Sequence, residues 1–265
     1  MPTLPTRLGP LNTEVTGCGP PALLWHSLFV DSTSWNRLRG RLAEVRTLIL
    51  VDGPGHGANP PPPCPFTLAD CADAAADVLG ALDVRGPVDW LGNAWGGHVG
   101  VFFAGAYPDA CRTLLCIASP ISALPPQDRR AMQLVYALHN LAGPRAVVRP
   151  LTHALLGPEL SKHDPEAAAL VRSAFIRADR RGMRRAIRSI SLKRPDATGH
   201  LAAVKAPTLM ITGADDARCT AEDTGAWAAR VPAGKSLVVP GAGHLAPVFD
   251  PATADIVEDF WSRAA

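Results

Sequence analysis

The chain has 265 residues, 47% of them hydrophobic and 19% charged, enough for one domain with its own core and room for an insertion. A net charge of only +2 gives no electrostatic case for a nucleic-acid partner, and no run approaches the ~20 apolar residues of a membrane-spanning helix. The six cysteines form no C-x-x-C pair and no metal-ligand spacing; they read as reduced, buried thiols of a cytoplasmic protein, and Met1–Pro5 lacks the apolar run of a signal peptide.

A first strand is predicted over Ala22–Trp25, followed by His26-Ser27-Leu28-Phe29 and a helix start near Ser32–Trp35. A second, over Thr47–Val51, runs into Asp52-Gly53-Pro54-Gly55-His56-Gly57. That turn superficially resembles a dinucleotide loop, but Pro54 removes an N–H and the stiff run Pro60–Pro63 follows instead of a helix. The proline run reads as a rigid connector. His26 and His56 lie in tight turns, where ring nitrogens are expected to pin loop backbone. Thr67 and Asp70 make a capping box for a helix with Leu68, Cys71, Ala75, Val78, Leu79 and Leu82 on one face.

The stretch Trp90-Leu91-Gly92-Asn93-Ala94-Trp95-Gly96-Gly97-His98 has the pattern of a strand entering a helix through a tight, strained turn. Glycines two before and two after the central residue let the backbone pack, and the central side chain is pushed to the top of the sheet. Here that residue is Ala94, which has no atom able to attack anything. Cys111 and Cys116 mark a further core strand.

From Pro125 to Lys205 the strand pattern stops, and four helical stretches are predicted, roughly 127–142, 144–156, 164–180 and 181–194. This segment holds 15 Lys+Arg and 6 Asp+Glu, a net +9; the remainder holds 11 and 18, a net −7. Arg177, Arg181, Arg184 and Arg188 follow helical spacing, with Ile176, Met183, Ile187 and Ile190 toward another face. One reading is a basic lid that steers an anionic substrate; the other is a solvated arginine face that pairs with the acidic remainder. His139, His153, His163 and His200 show no ligand pairing, so neither a metal nor a cofactor is expected.

Strands resume with Thr208–Thr212, leading to Gly213-Ala214-Asp215-Asp216, and with Ser236–Val239, leading to Gly241-Ala242-Gly243-His244. A last helix is predicted with Asp250 as N-cap and Pro251 at its first position, burying Ile256 and Phe260. Strands alternating with helices on both sides of the all-helical segment argue for an α/β fold: a mostly parallel sheet with helices on both faces.

In order, these loops resemble the oxyanion loop, the D-x-P-G-x-G turn, the nucleophile elbow, the acid loop and the histidine loop of the α/β-hydrolase superfamily, over nearly the whole chain. The resemblance implies a core of residues 1–124 and 206–265 and an inserted helical cap over 125–205. It implies Ala94 at the nucleophile position, His244 as base, Asp216 in preference to Asp215 as orienting acid, and the N–H groups of Leu28 and Trp95 as oxyanion hole. Ser27 stands where glycine is usual, and the Ser-Leu pair is similar to one in lactone-opening members. Ser27, Phe29 and Tyr136 are expected to contact the substrate, a small-molecule ester or lactone. No nucleic acid and no membrane are expected as partners, and nothing in the chain sets an oligomeric state.

Three histories fit position 94: a serine replaced by alanine, an aspartate replaced by alanine, or a natural alanine. Relatives with an aspartate nucleophile use cap tyrosines, a proline in the oxyanion loop or a halide-binding side chain near position 28. This chain offers Tyr136 as the one cap tyrosine, no proline in 26–29, and Leu28. Serine therefore fits better than aspartate. A natural alanine predicts decay elsewhere in the site, whereas Gly92, Gly96, Asp216 and His244 all remain. Carbon–carbon bond hydrolysis by the same triad, and a non-hydrolytic binding or lyase- or cyclase-like role, stay open.

Overall fold

Alternate residues of the strands face opposite sides of one sheet, and the chain supplies a helical layer for each side. In the computed structural model, which describes residues 2–263, the strands are β1 (Thr3–Leu4), β2 (Leu11–Gly17), β3 (Pro21–Trp25), β4 (Thr47–Val51), β5 (Val88–Asn93), β6 (Cys111–Ile117), β7 (Thr208–Gly213) and β8 (Gly234–Val239). They lie in the order β1-β2-β4-β3-β5-β6-β7-β8. Pairing is parallel from β4 through to β8, while β1 and β2 add an antiparallel edge that was not among the expected elements. Because β3 lies between β4 and β5, strand order reverses there, and in open α/β sheets ligands bind outside the carboxyl ends of the strands at such a reversal. The loops after β3 and β5 leave from those neighbouring strands.

The helices of the first half are α1 (Asn36–Leu42), α2 (Leu68–Ala81) and α3 (Trp95–Ala106). Between β6 and β7 come α4 (Pro126–Ala142), α5 (Val148–His163), α6 (Pro165–Arg177) and α7 (Arg180–Ala186), then α8 (Ala221–Ala228), α9 (Ala246–Phe249) and α10 (Thr253–Arg263) follow. On one sheet face Leu23, Trp25, Ile49, Val51, Trp90 and Leu114 pack with α2, α3 and α8. On the other, Ala22, Leu24, Leu48, Leu50, Leu91 and Leu115 pack with α1 and α10. The capping box of α2 is formed: Asp70 N–H donates to Thr67 Oγ1 at 3.1 Å, and Thr67 N–H donates to Asp70 Oδ2 at 2.8 Å.

Several local expectations need correction. Helix α5 runs past residue 156 but is broken at Gly157, whose backbone (φ 79°, ψ 168°) is non-helical ahead of Pro158. Helix α7 loosens into a π-helix over Ile187–Leu192. Ile176 is 39% exposed and does not join Met183, Ile187 and Ile190 in the core. The last helix begins at Thr253; Asp250 instead closes the preceding turn, its Oδ1 accepting from Ala252 N–H at 2.9 Å. Cys18 and Cys64 are exposed, so burial holds for four of the six free cysteines.

The arginine face of the insertion is divided. Arg177 pairs with buried Asp31 in the loop after β3, at 2.5 Å, while Arg181, Arg184 and Arg188 are solvated. Arg37 of α1 reaches Asp164 Oδ1 at 2.8 Å and Glu166 Oε2 at 3.2 Å, and Arg185 donates to the Pro62 carbonyl. The insertion is thus tied to the core by ion pairs of both polarities.

Below the site, Asp89 on β5 is fully buried and accepts from Arg46 Nε at 2.7 Å, Arg112 Nη2 at 2.6 Å and Thr113 Oγ1 at 2.7 Å. Removing one member of such a network leaves uncompensated buried charge. We predict that Asp89→Ala lowers unfolding free energy by roughly 3–5 kcal/mol, read by urea denaturation; a loss under ~1 kcal/mol would show that the network is solvated enough to reorganise.

Candidate active site

The turn at the end of β5 is set by two glycines that have no room for a side chain. A Cβ on Gly92 would lie 2.3 Å from the Gly96 carbonyl carbon, and one on Gly96 would lie 1.9 Å from the Trp25 carbonyl oxygen. Between them Ala94 takes φ 46°, ψ −103°, a strained backbone for a non-glycine residue. Ala94 N–H is held by the Ile117 carbonyl at 2.8 Å, and Trp90 Nε1 donates to the Gly96 carbonyl at 3.0 Å. The elbow shape therefore persists with alanine at its tip. Ala94 is 6% exposed, so its methyl group is nearly buried at the end of β5.

His244 follows β8 and Asp216 follows β7. Their side chains meet: His244 Nδ1 lies 2.8 Å from Asp216 Oδ2, with both residues buried. Asp216 Oδ1 accepts from the N–H groups of Arg218 at 2.8 Å and Cys219 at 3.2 Å, which fixes the carboxylate plane. With Nδ1–H donated to the carboxylate, Nε2 is the basic nitrogen. Asp215 is exposed and takes no part in the pair. Burial pushes the neighbouring Cys219 thiol up to about 12, so it stays protonated at neutral pH.

Leu28 and Trp95 each present a backbone N–H with no acceptor among the described residues. Trp95 is the first residue of α3, where unpaired amides and the helix dipole favour negative charge. The Leu28 loop is braced by two buried imidazoles. His26 accepts from Gly53 N–H at 2.8 Å and bonds the Ser27 carbonyl at 2.7 Å; His56 accepts from Phe29 N–H at 3.3 Å and bonds the Pro54 carbonyl at 3.1 Å. Each ring uses one nitrogen as donor and one as acceptor, the pattern of neutral histidine. Together they hold Phe29 at φ 78°.

The other candidate residues are placed as follows. Ser27 is buried and its hydroxyl donates to the Leu28 carbonyl at 3.3 Å. Phe29 is buried edge-on against Phe175 of α6, with ring centroids 5.6 Å apart. Tyr136 is half-buried on α4, packed against the larger core cluster, and has no hydrogen bond to the His244–Asp216 pair. Two supports had no sequence signal of their own. Trp90 acts through its indole N–H on Gly96. Asp31 is pushed up by burial, but Thr33 and Arg177 outweigh that effect and hold its carboxyl below the usual range. Among the described residues no group of three His, Cys, Asp or Glu could hold a metal ion, and no helix is long and apolar enough to cross a membrane.

A reversing parallel sheet, a strained strand-to-helix elbow and a buried His–Asp pair at its carboxyl edge describe the hydrolase class of α/β proteins. The chain belongs to the alpha/beta hydrolase family, whose model matches residues 22–257. The fold is similar to that of a thermophilic esterase from Thermogutta terrifontis, with a TM-score of 0.91 and 26% identity over 99% of this chain and 98% of the other. It is also similar to the enol-lactonase from Burkholderia xenovorans, with a TM-score of 0.90 and 18% identity over 98% of this chain and all of the other. An uncharacterized protein of Mycobacterium tuberculosis is 32% identical over 106 residues, 40% of this chain; the match spans 31% of that relative's length.

Burial lowers the pKa of His56 and of His98 to about 3, the first aided by His26 and the second by Arg194. Both rings are neutral in the fold, so the unfolded chain binds more protons below pH ~6.5 and stability falls as pH drops from there toward about 3. At pH 5 the loss is on the order of 2 kcal/mol for each ring. We predict that replacing His98 by Asn removes about that amount from the stability difference between pH 7 and pH 5, measured by urea denaturation at both; parallel profiles would contradict it.

Proposed function

We propose that this is the site of a carboxylic ester or lactone hydrolase that works through an acyl-enzyme at position 94, and that alanine there leaves it without its nucleophile. The observation that carries the reading is the His244–Asp216 pair at 2.8 Å, retained beside an elbow that keeps its strained φ. With serine at 94, His244 Nε2 takes the hydroxyl proton as Oγ attacks the substrate carbonyl. Negative charge forms on the carbonyl oxygen, where the N–H groups of Leu28 and Trp95 receive it. His244 then returns the proton to the leaving alcohol, which for a lactone stays attached to the acyl chain. Water, deprotonated by the same imidazole, releases the acid. Asp216 holds the ring through Nδ1–H so that Nε2 faces the proton to be moved, and its charge offsets that of the imidazolium. Residues 125–205 serve as the cap, and Phe29, Ser27 and Tyr136 belong to the substrate-facing shell.

A second reading rests on the same pair. A base and two free N–H groups without a nucleophile can also remove a proton α to a carbonyl and hold the enolate. That reading expects the alanine form itself to exchange α-protons of a carbonyl ligand for deuterium.

The test is hydrolysis of p-nitrophenyl butyrate and a panel of small lactones by the chain and by Ala94→Ser. Losing a serine nucleophile costs on the order of 10⁶ in turnover in another serine hydrolase, so Ala94→Ser should raise the rate by several orders of magnitude on a suitable substrate. Adding His244→Ala to Ala94→Ser should return it to background. A well-folded Ala94→Ser with no gain on any ester or lactone would sink the hydrolase reading. Deuterium exchange by the unmodified chain, lost in His244→Ala, would replace it with the second.

A further inference from the structure

The insertion contains a cleft that no part of the proposed mechanism uses. It lies between α5 and α6, has a volume of about 400 Å³, and is lined by Arg149, Thr152, His153, Ser161, Ala168 and Arg172. Arg149, Thr152 and His153 lie on one side of α5 by i, i+3, i+4 spacing, and Ala168 and Arg172 share a face of α6 at i, i+4. The break at Gly157 precedes the segment that brings Ser161 to the same cleft.

Its chemistry is one-sided. No carboxylate lines it, and the nearby acids are engaged elsewhere: Asp164 and Glu166 with Arg37, Glu159 with His163, and Asp179 with the start of α7. Neither Arg149 nor Arg172 has a carboxylate partner among the described residues. Ser161 Oγ is sealed from solvent and has no hydrogen-bond partner, an unfavourable state for a buried hydroxyl. Thr152 spends its own proton on the Val148 carbonyl at 2.7 Å, so toward the cleft it can only accept. Ala168 contributes a methyl group and leaves the space open.

We propose that this cleft is a binding site for a phosphoryl group, separate from the crevice at Ala94. Two arginines and a histidine line the cleft from two helices, with no carboxylate among them. A planar carboxylate is satisfied by one bidentate arginine, whereas donors arriving from several sides suit a tetrahedral dianion. The volume exceeds that of phosphate itself, which favours a phosphorylated small molecule over the free ion. The proposal does not depend on what stands at position 94, since binding is measured on the chain as it is.

The experiment is calorimetric titration at low ionic strength with phenyl phosphate, inorganic phosphate and benzoate. Phenyl phosphate should bind one to one, and benzoate should bind at least tenfold more weakly. Losing a charge-assisted hydrogen bond corresponds to about a tenfold change or more, so Arg149→Ala and Arg172→Ala should each weaken phenyl phosphate by at least about tenfold. Arg181→Ala, on the solvated face, should change it less than twofold. Inorganic phosphate binding as tightly as phenyl phosphate would keep the site and make the free ion its occupant; weaker binding makes the occupant a phosphate ester. Absence of one-to-one binding below about 10 mM would overturn the proposal. So would affinity that both Arg149→Ala and Arg172→Ala leave unchanged, because the ligand would then sit elsewhere, the free amides beside Ala94 included.

Discussion

Close contact between Gly96 and the Trp25 carbonyl governs the rest of the site. The first turn of α3 lies against the end of β3 so tightly that a single added carbon would overlap the carbonyl oxygen at 1.9 Å. That approach sets the start of α3 against the end of β3 and leaves the Trp95 amide free beside the loop that carries the Leu28 amide. It also forces the backbone at 94 through a left-handed conformation, a cost of order 1–3 kcal/mol that the surroundings must over-determine. The surroundings do so with large rings. Trp25 and Trp90 stack at 6.1 Å, Trp25 and Trp95 meet edge-on at 5.6 Å, and Trp90 ties its indole to Gly96. Burial of three indoles offers several times the strain energy of one residue.

A second brace works through polarity. His26 and His56 lie with ring centroids 5.0 Å apart, and each bridges backbone across the loops after β3 and β4. Burial keeps both rings uncharged, which lets one nitrogen accept while the other donates. A protonated ring could accept nothing, and the Phe29 and Gly53 amides would lose their partners. The geometry of the Leu28 amide is therefore coupled to the protonation of His26 and His56.

These dependencies explain which features could be read from residues alone. Gly92 and Gly96 are legible because close backbone contact leaves few alternatives to glycine, and Gly241 because its backbone takes φ 66°. Thr67 and Asp70 are legible because a capping box is local. Strand β2 is not, since Leu-Asn-Thr-Glu-Val-Thr-Gly pairs antiparallel at an edge and carries no continuous apolar run. The π-helix over Ile187–Leu192 also escapes, because a period of 3.6 fits its apolar positions as well as a looser winding does. Arg177 and Asp31 are 146 residues apart, so helical spacing identifies the arginine without saying which acid it meets. Trp90 reads as one more core aromatic until its N–H is seen to hold Gly96.

The alanine at 94 separates what the fold needs from what the chemistry needs. Nothing in the elbow's construction uses a side-chain oxygen at its tip: the glycines, the Ile117 carbonyl and the Trp90 indole act on backbone. On the proposed mechanism, alanine at 94 removes the attacking atom and leaves this backbone cradle as it is. The His244–Asp216 pair is different, because it contributes little that an apolar pair of similar volume could not. A buried hydrogen-bonded polar pair is weak support for stability once desolvation is counted. With Asp216 further held by two backbone amides, the pair has the arrangement that the proposed mechanism asks of it, proton transfer at Nε2.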